Sequence, residues 1–101
     1  MASFLYLYTG GNPPKDAAEG EKVMQNWMAY FGRMGPKIVD GGAPLGDRKS
    51  VSGAPASGAS GYSIVSADSL EEAVAMTENH PHLASGGAIE VIQTRADRHV
   101  A

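Results

Sequence analysis

His80 and His82 flank Pro81 in the segment Asn79-His80-Pro81-His82-Leu83. Histidine titrates near neutrality, so either ring, turned inward, would serve as a general acid or base. The alternative is structural. At a helix C-terminus the dipole favours an imidazolium, and both rings would then cap a helix end or sit on a surface turn. A metal site has less to stand on. His-x-His offers two ligands, but no third histidine or cysteine is close by, so no metal is expected. His99 lies in a polar terminus and reads as solvated.

Two carboxylates join the candidates. Asp40 ends a short apolar run before Gly41-Gly42. It is either a functional group at a strand end or a turn-forming aspartate. Glu90 lies between Ile89 and Val91. Side chains alternate across a strand, so Glu90 points away from the face that Ile89 and Val91 share. Once buried, it must pair with Arg33, Lys37 or a tyrosine hydroxyl, or carry a raised pKa suited to catalysis. Tyr6, Tyr8 and Trp27 are the candidate ligand-lining residues. Trp27 also fits a core or interface position, the usual place for a large aromatic at helical spacing. No serine stands in a Gly-x-Ser-x-Gly elbow, and no Gly-x-x-x-x-Gly-Lys-Ser/Thr loop is present. No cofactor is expected.

These residues need elements to hold them. Phe4-Leu5-Tyr6-Leu7-Tyr8, closed by Gly10-Gly11-Asn12-Pro13, predicts a strand. Leu5 and Leu7 share one face of it; Phe4, Tyr6 and Tyr8 share the other. A first helix starts near Asp16, which with Glu19 has capping-box spacing. Val23, Trp27, Tyr30, Phe31 and Met34 form its apolar stripe, and Gly35-Pro36 ends it. Residues 37–40 predict a second strand. Residues 41–60 are mostly Gly, Ala, Ser and Pro and read as a flexible connection, either a mobile surface loop or a pocket lid. Tyr62 to Ala67 predicts a third strand. A second helix begins at Asp68 or Ser69, with Leu70, Ala73, Val74 and Thr77 on one face, and ends at Asn79-His80-Pro81. Ala88 to Thr94 predicts the last strand, and 95–101 a polar tail.

The order β-α-β, β-α-β predicts a ferredoxin-like α+β sandwich over residues 1–101, with a four-stranded antiparallel sheet and both helices on one side. The opposite face is then bare. Tyr6 and Tyr8 are expected there, with Glu90. An aromatic sheet face of that size calls for cover. A second copy packed sheet to sheet supplies it, giving a homodimeric α/β barrel.

Composition narrows the function classes. The chain has 101 residues, 43% hydrophobic and 19% charged, enough for one small core. Its net charge is −3 and its eight basic residues are scattered, which argues against a nucleic-acid partner. The absence of cysteine removes disulfides, thiolate zinc sites and cysteine nucleophiles. It also suits a reducing compartment. With no signal-peptide pattern and no long apolar run, a cytoplasmic location without membrane partners is expected.

Several pieces in order resemble the YCII-related family, on the side of its DGPF-like branch. They are Gly35 and Gly41 around the second strand, Gly61-Tyr62, Ser69-Leu70-Glu71-Glu72-Ala73, His80-Pro81 and Gly87-x-Ile89-Glu90-Val91. The resemblance implies a ferredoxin-like fold, a dimeric α/β barrel and a small-molecule pocket between sheet and helices. It also implies kinship with enzymes acting on chlorinated or hydroxylated ring-cleavage products. Two features depart from the family. Met24-Gln25-Asn26-Trp27 lacks the histidine that the YCII branch carries on its first helix, and Gly-Ala-Pro-Leu replaces Asp-Gly-Pro-Phe after the second strand. Two functions are therefore expected. One is a cofactor-independent enzyme performing isomerisation or elimination on a small organic molecule. The other is a non-catalytic homodimer that binds a small ligand or acts as an accessory.

Overall fold

A computed structural model describes residues 2–53 and 55–95. Strand β1 spans Ala2–Gly10. Helix α1, Ala17–Met34, begins where Asp16 accepts the Glu19 N–H at 2.8 Å, and ends where the Gly35 N–H returns to the Phe31 carbonyl. A 3-10 turn over Gly35–Lys37 leads into β2, Ile38–Pro44. Strand β3 is Ala59–Ala67. Ser69 caps the short helix α2, Leu70–Ala75, by accepting the Glu72 N–H at 3.1 Å. A one-turn helix, α3, covers Pro81–Ala84, and β4 runs Gly87–Gln93. The sheet order is β2-β3-β1-β4, and every neighbouring pair is antiparallel. That is the ferredoxin-like α+β sandwich expected from the element order.

The core lies between one sheet face and the helices. Phe4, Tyr6, Tyr8, Val65 and Ala67 come from the sheet, Tyr30 and Met34 from α1, and Ala73 from α2. Tyr6 and Tyr8 therefore sit beneath the helices, not on the bare face where the sequence put them. A phenol can fill a core once its hydroxyl finds a partner. Tyr6 donates to the Ala73 carbonyl, and Tyr8 donates to Ser63 Oγ at 2.8 Å. The open face carries the half-buried Leu5, Leu7 and Ile64, together with Ile92.

Three further expectations are corrected. Strand β2 does not stop at Asp40 but continues through Gly41-Gly42 to Pro44, so the connection is residues 45–58 rather than 41–60. It does so by two register shifts against β3, on either side of Asp40. Gly42 makes the passage possible: its φ is +80°, and a Cβ there would overlap the Tyr62 carbonyl. Second, α2 ends at Ala75, and its expected stripe is half solvent-facing, with Leu70 44% and Val74 50% exposed. Third, His80 and His82 lie on no surface turn; both are buried. His99 and the tail beyond Arg95 lie outside the described residues. Among those described, no helix is long and apolar enough to cross a membrane.

Candidate functional site

The segment Asn79-His80-Pro81-His82 folds as a helix start rather than a helix end. Asn79 takes a left-handed φ of 62°, which turns the chain after α2. His80 precedes a proline and is extended, as its steric contact with the ring requires. Pro81 then occupies the first turn of α3, where its missing N–H costs nothing. His80 Nδ1 accepts the backbone N–H of His82 at 3.0 Å and so caps the helix.

That bond fixes the proton on His80. Nδ1 is an acceptor, so in the neutral ring Nε2 carries the hydrogen. Nε2 lies 3.1 Å from the Tyr8 hydroxyl. The hydrogen bonds then run in one direction: His80 Nε2–H to Tyr8 Oη, Tyr8 O–H to Ser63 Oγ, and Ser63 O–H to the Gly41 carbonyl at 2.9 Å. The chain links α3, β1, β3 and β2. Around His80 stand Tyr30, with ring centroids 4.4 Å apart, and Trp27 at 4.9 Å, nearly perpendicular. Burial, followed by the neighbouring His82 and Arg33 charges, pushes His80 down to about 4, so the ring is neutral at pH 7. Burial also raises the Tyr8 phenol to about 12 and pushes Tyr6 and Tyr30 upward. All three phenols are neutral donors rather than bases.

His82 is held differently. Its Nε2 lies 2.8 Å from the Thr9 carbonyl, which can only accept, so Nε2 carries a hydrogen. Its ring packs so close to β4 that a Cβ at Gly87 would overlap it. Among the described residues His82 Nδ1 has no hydrogen bond, and no buried side-chain nitrogen or oxygen lacks one. In the neutral ring Nδ1 therefore keeps an unpaired lone pair, on the edge of the ring beside Gly11.

His82 borders an open cleft of about 510 Å³ between α1 and the β2 end of the sheet. Val23, Met24, Trp27 and Phe31 supply the α1 wall, and Gly41–Pro44 supply the β2 side. Tyr8 lies at the border with His82, its ring 5.1 Å from the imidazole and 5.4 Å from Trp27. Of the residues singled out in the sequence, Tyr8, Trp27 and His82 meet at this cleft. Tyr6 and His80 lie behind it, and both His80 nitrogens are engaged.

Asp40 and Glu90 do not join them. Asp40 is exposed; Oδ1 accepts the Gly42 N–H at 2.8 Å, and Oδ2 accepts the Tyr62 hydroxyl at 3.4 Å. It shapes the β2 bulge. Glu90 is exposed on the open sheet face, opposite Leu7 across the strand pair. The sheet separates it from both histidines. Arg33, one of its expected partners, instead donates to the Glu78 carbonyl and lies over the Tyr30 ring. Among the described residues no three His, Asp or Glu side chains converge as metal ligands.

Two contributors were not singled out from the sequence. Ser63 is buried on the same period as Gly61, Val65 and Ala67, and a serine on the buried period of a strand is the available signal. Tyr30 was read as part of an apolar stripe. Its hydroxyl donates to the Met76 carbonyl at 2.8 Å and closes the turn that leads to His80.

No protein-family model and no curated protein matches the chain. Among solved structures, it is similar to 5-chloro-2-hydroxyhydroquinone dehydrochlorinase from Burkholderia phenoliruptrix AC1100, in complex with 2,5-dihydroxybenzoquinone. Sequence identity is 21%, each chain is covered to 94%, and the TM-score is 0.58. A likeness at that identity establishes a shared fold.

Proposed function

We propose that the chain is a YCII-related, cofactor-independent enzyme that moves a proton on a small ring-shaped organic molecule bound in the α1–sheet cleft. The observation that carries this reading is the unpaired Nδ1 of His82, on a ring fixed by Thr9 at the border of an apolar cleft. Nδ1 would take a proton from carbon next to a ring carbonyl, leaving an enolate and an imidazolium. Return of that proton to another carbon isomerises the ring. Departure of a leaving group from the neighbouring carbon, with its electron pair, completes an elimination. The dehydrochlorinase of similar fold supports the second outcome. Tyr8 and Trp27 would orient the ring, and His80 would hold both Tyr8 and the His82 backbone in place.

A second copy of the chain belongs to this reading. The open face presents Leu5, Leu7, Ile64 and Ile92, the last 39% exposed. Packing sheet to sheet would cover them and form a dimeric barrel. A cytoplasmic location accords with the cysteine-free chain.

One observation favours a non-catalytic ligand-binding dimer instead. Of His80, His82, Asp40 and Glu90, His82 is the one that borders the cleft. Exchange of the α-protons of 2-tetralone in D2O, followed by NMR, separates the two readings. The enzyme reading expects the protein to accelerate exchange, with a loss of about 100-fold or more in His82→Ala. Binding without acceleration, or equal acceleration by His82→Ala, rejects it.

A further inference from the structure

We infer that the ligand of this cleft is uncharged and larger than a single six-membered ring. The inference rests on the proposed cleft and narrows its chemistry. Among the described residues, the lining contains no Lys, Arg, Asp or Glu. Its α1 wall is Val23, Met24, Trp27 and Phe31, and β2 contributes Gly41–Pro44. A carboxylate or phosphate placed there would lose water and meet no guanidinium or ammonium. His82 cannot both act as the base and neutralise an anion. As a base, its Nδ1 must be free of a proton, and its Nε2–H already serves Thr9. A neutral molecule that gives up its own proton fits this arrangement.

Size follows from the volume. A closed apolar cavity of roughly 150 Å³ holds benzene. This cleft offers about 510 Å³ and has aromatic side chains on its α1 wall. One ring would leave much of that apolar surface wet, whereas a fused second ring would cover more of it.

The test uses 2-naphthol, phenol and 3-hydroxy-2-naphthoate, with affinity from calorimetry. Location comes from the emission of Trp27, the chain's single tryptophan. The expected result is that 2-naphthol binds and perturbs Trp27, while phenol and the carboxylate each bind at least about tenfold more weakly. Val23→Arg, which places a cation on the α1 wall, is expected to restore binding of the carboxylate. If phenol or 3-hydroxy-2-naphthoate perturbs Trp27 and binds as tightly as 2-naphthol, the inference fails and the cleft stands. If none of the three binds, the cleft reading fails and takes the inference with it.

Discussion

His80 Nδ1 accepts the backbone N–H of His82 at 3.0 Å, so one histidine sets the position of the other. The same imidazole reaches Tyr8 through Nε2. A buried, neutral ring thus ties the Tyr8 hydroxyl to the His82 backbone, two residues that border the cleft, without bordering it itself. Its surroundings of Tyr30, Trp27 and Tyr8 make protonation costly.

Stability should depend on pH through His80. The unfolded chain takes up this proton near pH 6.5, the folded chain only near pH 4. Between those values the unfolded chain binds more protons, so stability falls as pH falls. The contribution is complete above about pH 6.5 and about 3 kcal/mol is lost by pH 4. Denaturant titrations across this window measure it. His80→Asn keeps an acceptor for the His82 N–H and removes the titration, so its pH slope should be flatter than wild type.

Tyr8→Phe should destabilise by about 1–3 kcal/mol, because the buried His80 Nε2–H loses its acceptor. Ser63→Ala should cost a similar amount by leaving the Tyr8 hydroxyl without its acceptor. The two losses should not add, since both break one chain of hydrogen bonds. Thermal melts of the two single variants and the double variant give the comparison.

Gly87→Ala should act on function more than its size suggests. The added methyl would overlap the His82 ring and force it off the Thr9 carbonyl. Proton exchange on 2-tetralone should fall by about 100-fold, the loss expected when a general base is displaced. A circular-dichroism spectrum like that of wild type would show that the sheet persists.

The open face gives a separate test. Leu7 sits at its centre, between Tyr62 on β3 and Glu90 on β4. Leu7→Lys would bring a charge into a sheet-to-sheet interface and should convert a dimer into a monomer. Light scattering after size exclusion reads the mass of both proteins. A wild-type monomer would reject the barrel.

The fold was legible because its signals are local. Asp16 and Ser69 cap where their spacing to Glu19 and Glu72 places them, and Gly35 ends α1 as expected. The facing of β1 was not legible. Period-2 alternation separates Leu5 and Leu7 from Phe4, Tyr6 and Tyr8, but both sets are apolar. Burial of the tyrosines was decided by acceptors distant in sequence, Ala73 and Ser63. Strand β2 hid in glycine-rich sequence because bulges, not side-chain periodicity, carry it past Asp40. At the site, His82 and Trp27 could be named from residue type alone. That His80 faces inward and caps α3 depended on Pro81 starting a helix, where the sequence had suggested one ending.

The tautomer of the two rings is the central claim, and long-range ¹H–¹⁵N NMR of the histidine side chains reads it directly. The neutral rings of both His80 and His82 should be Nε2–H tautomers. Adding 2-naphthol should shift His82 Nδ1 and leave His80 Nδ1 unmoved. A neutral His82 ring with its hydrogen on Nδ1 in the free protein, or a His82 ring indifferent to a ligand that perturbs Trp27, would contradict the account.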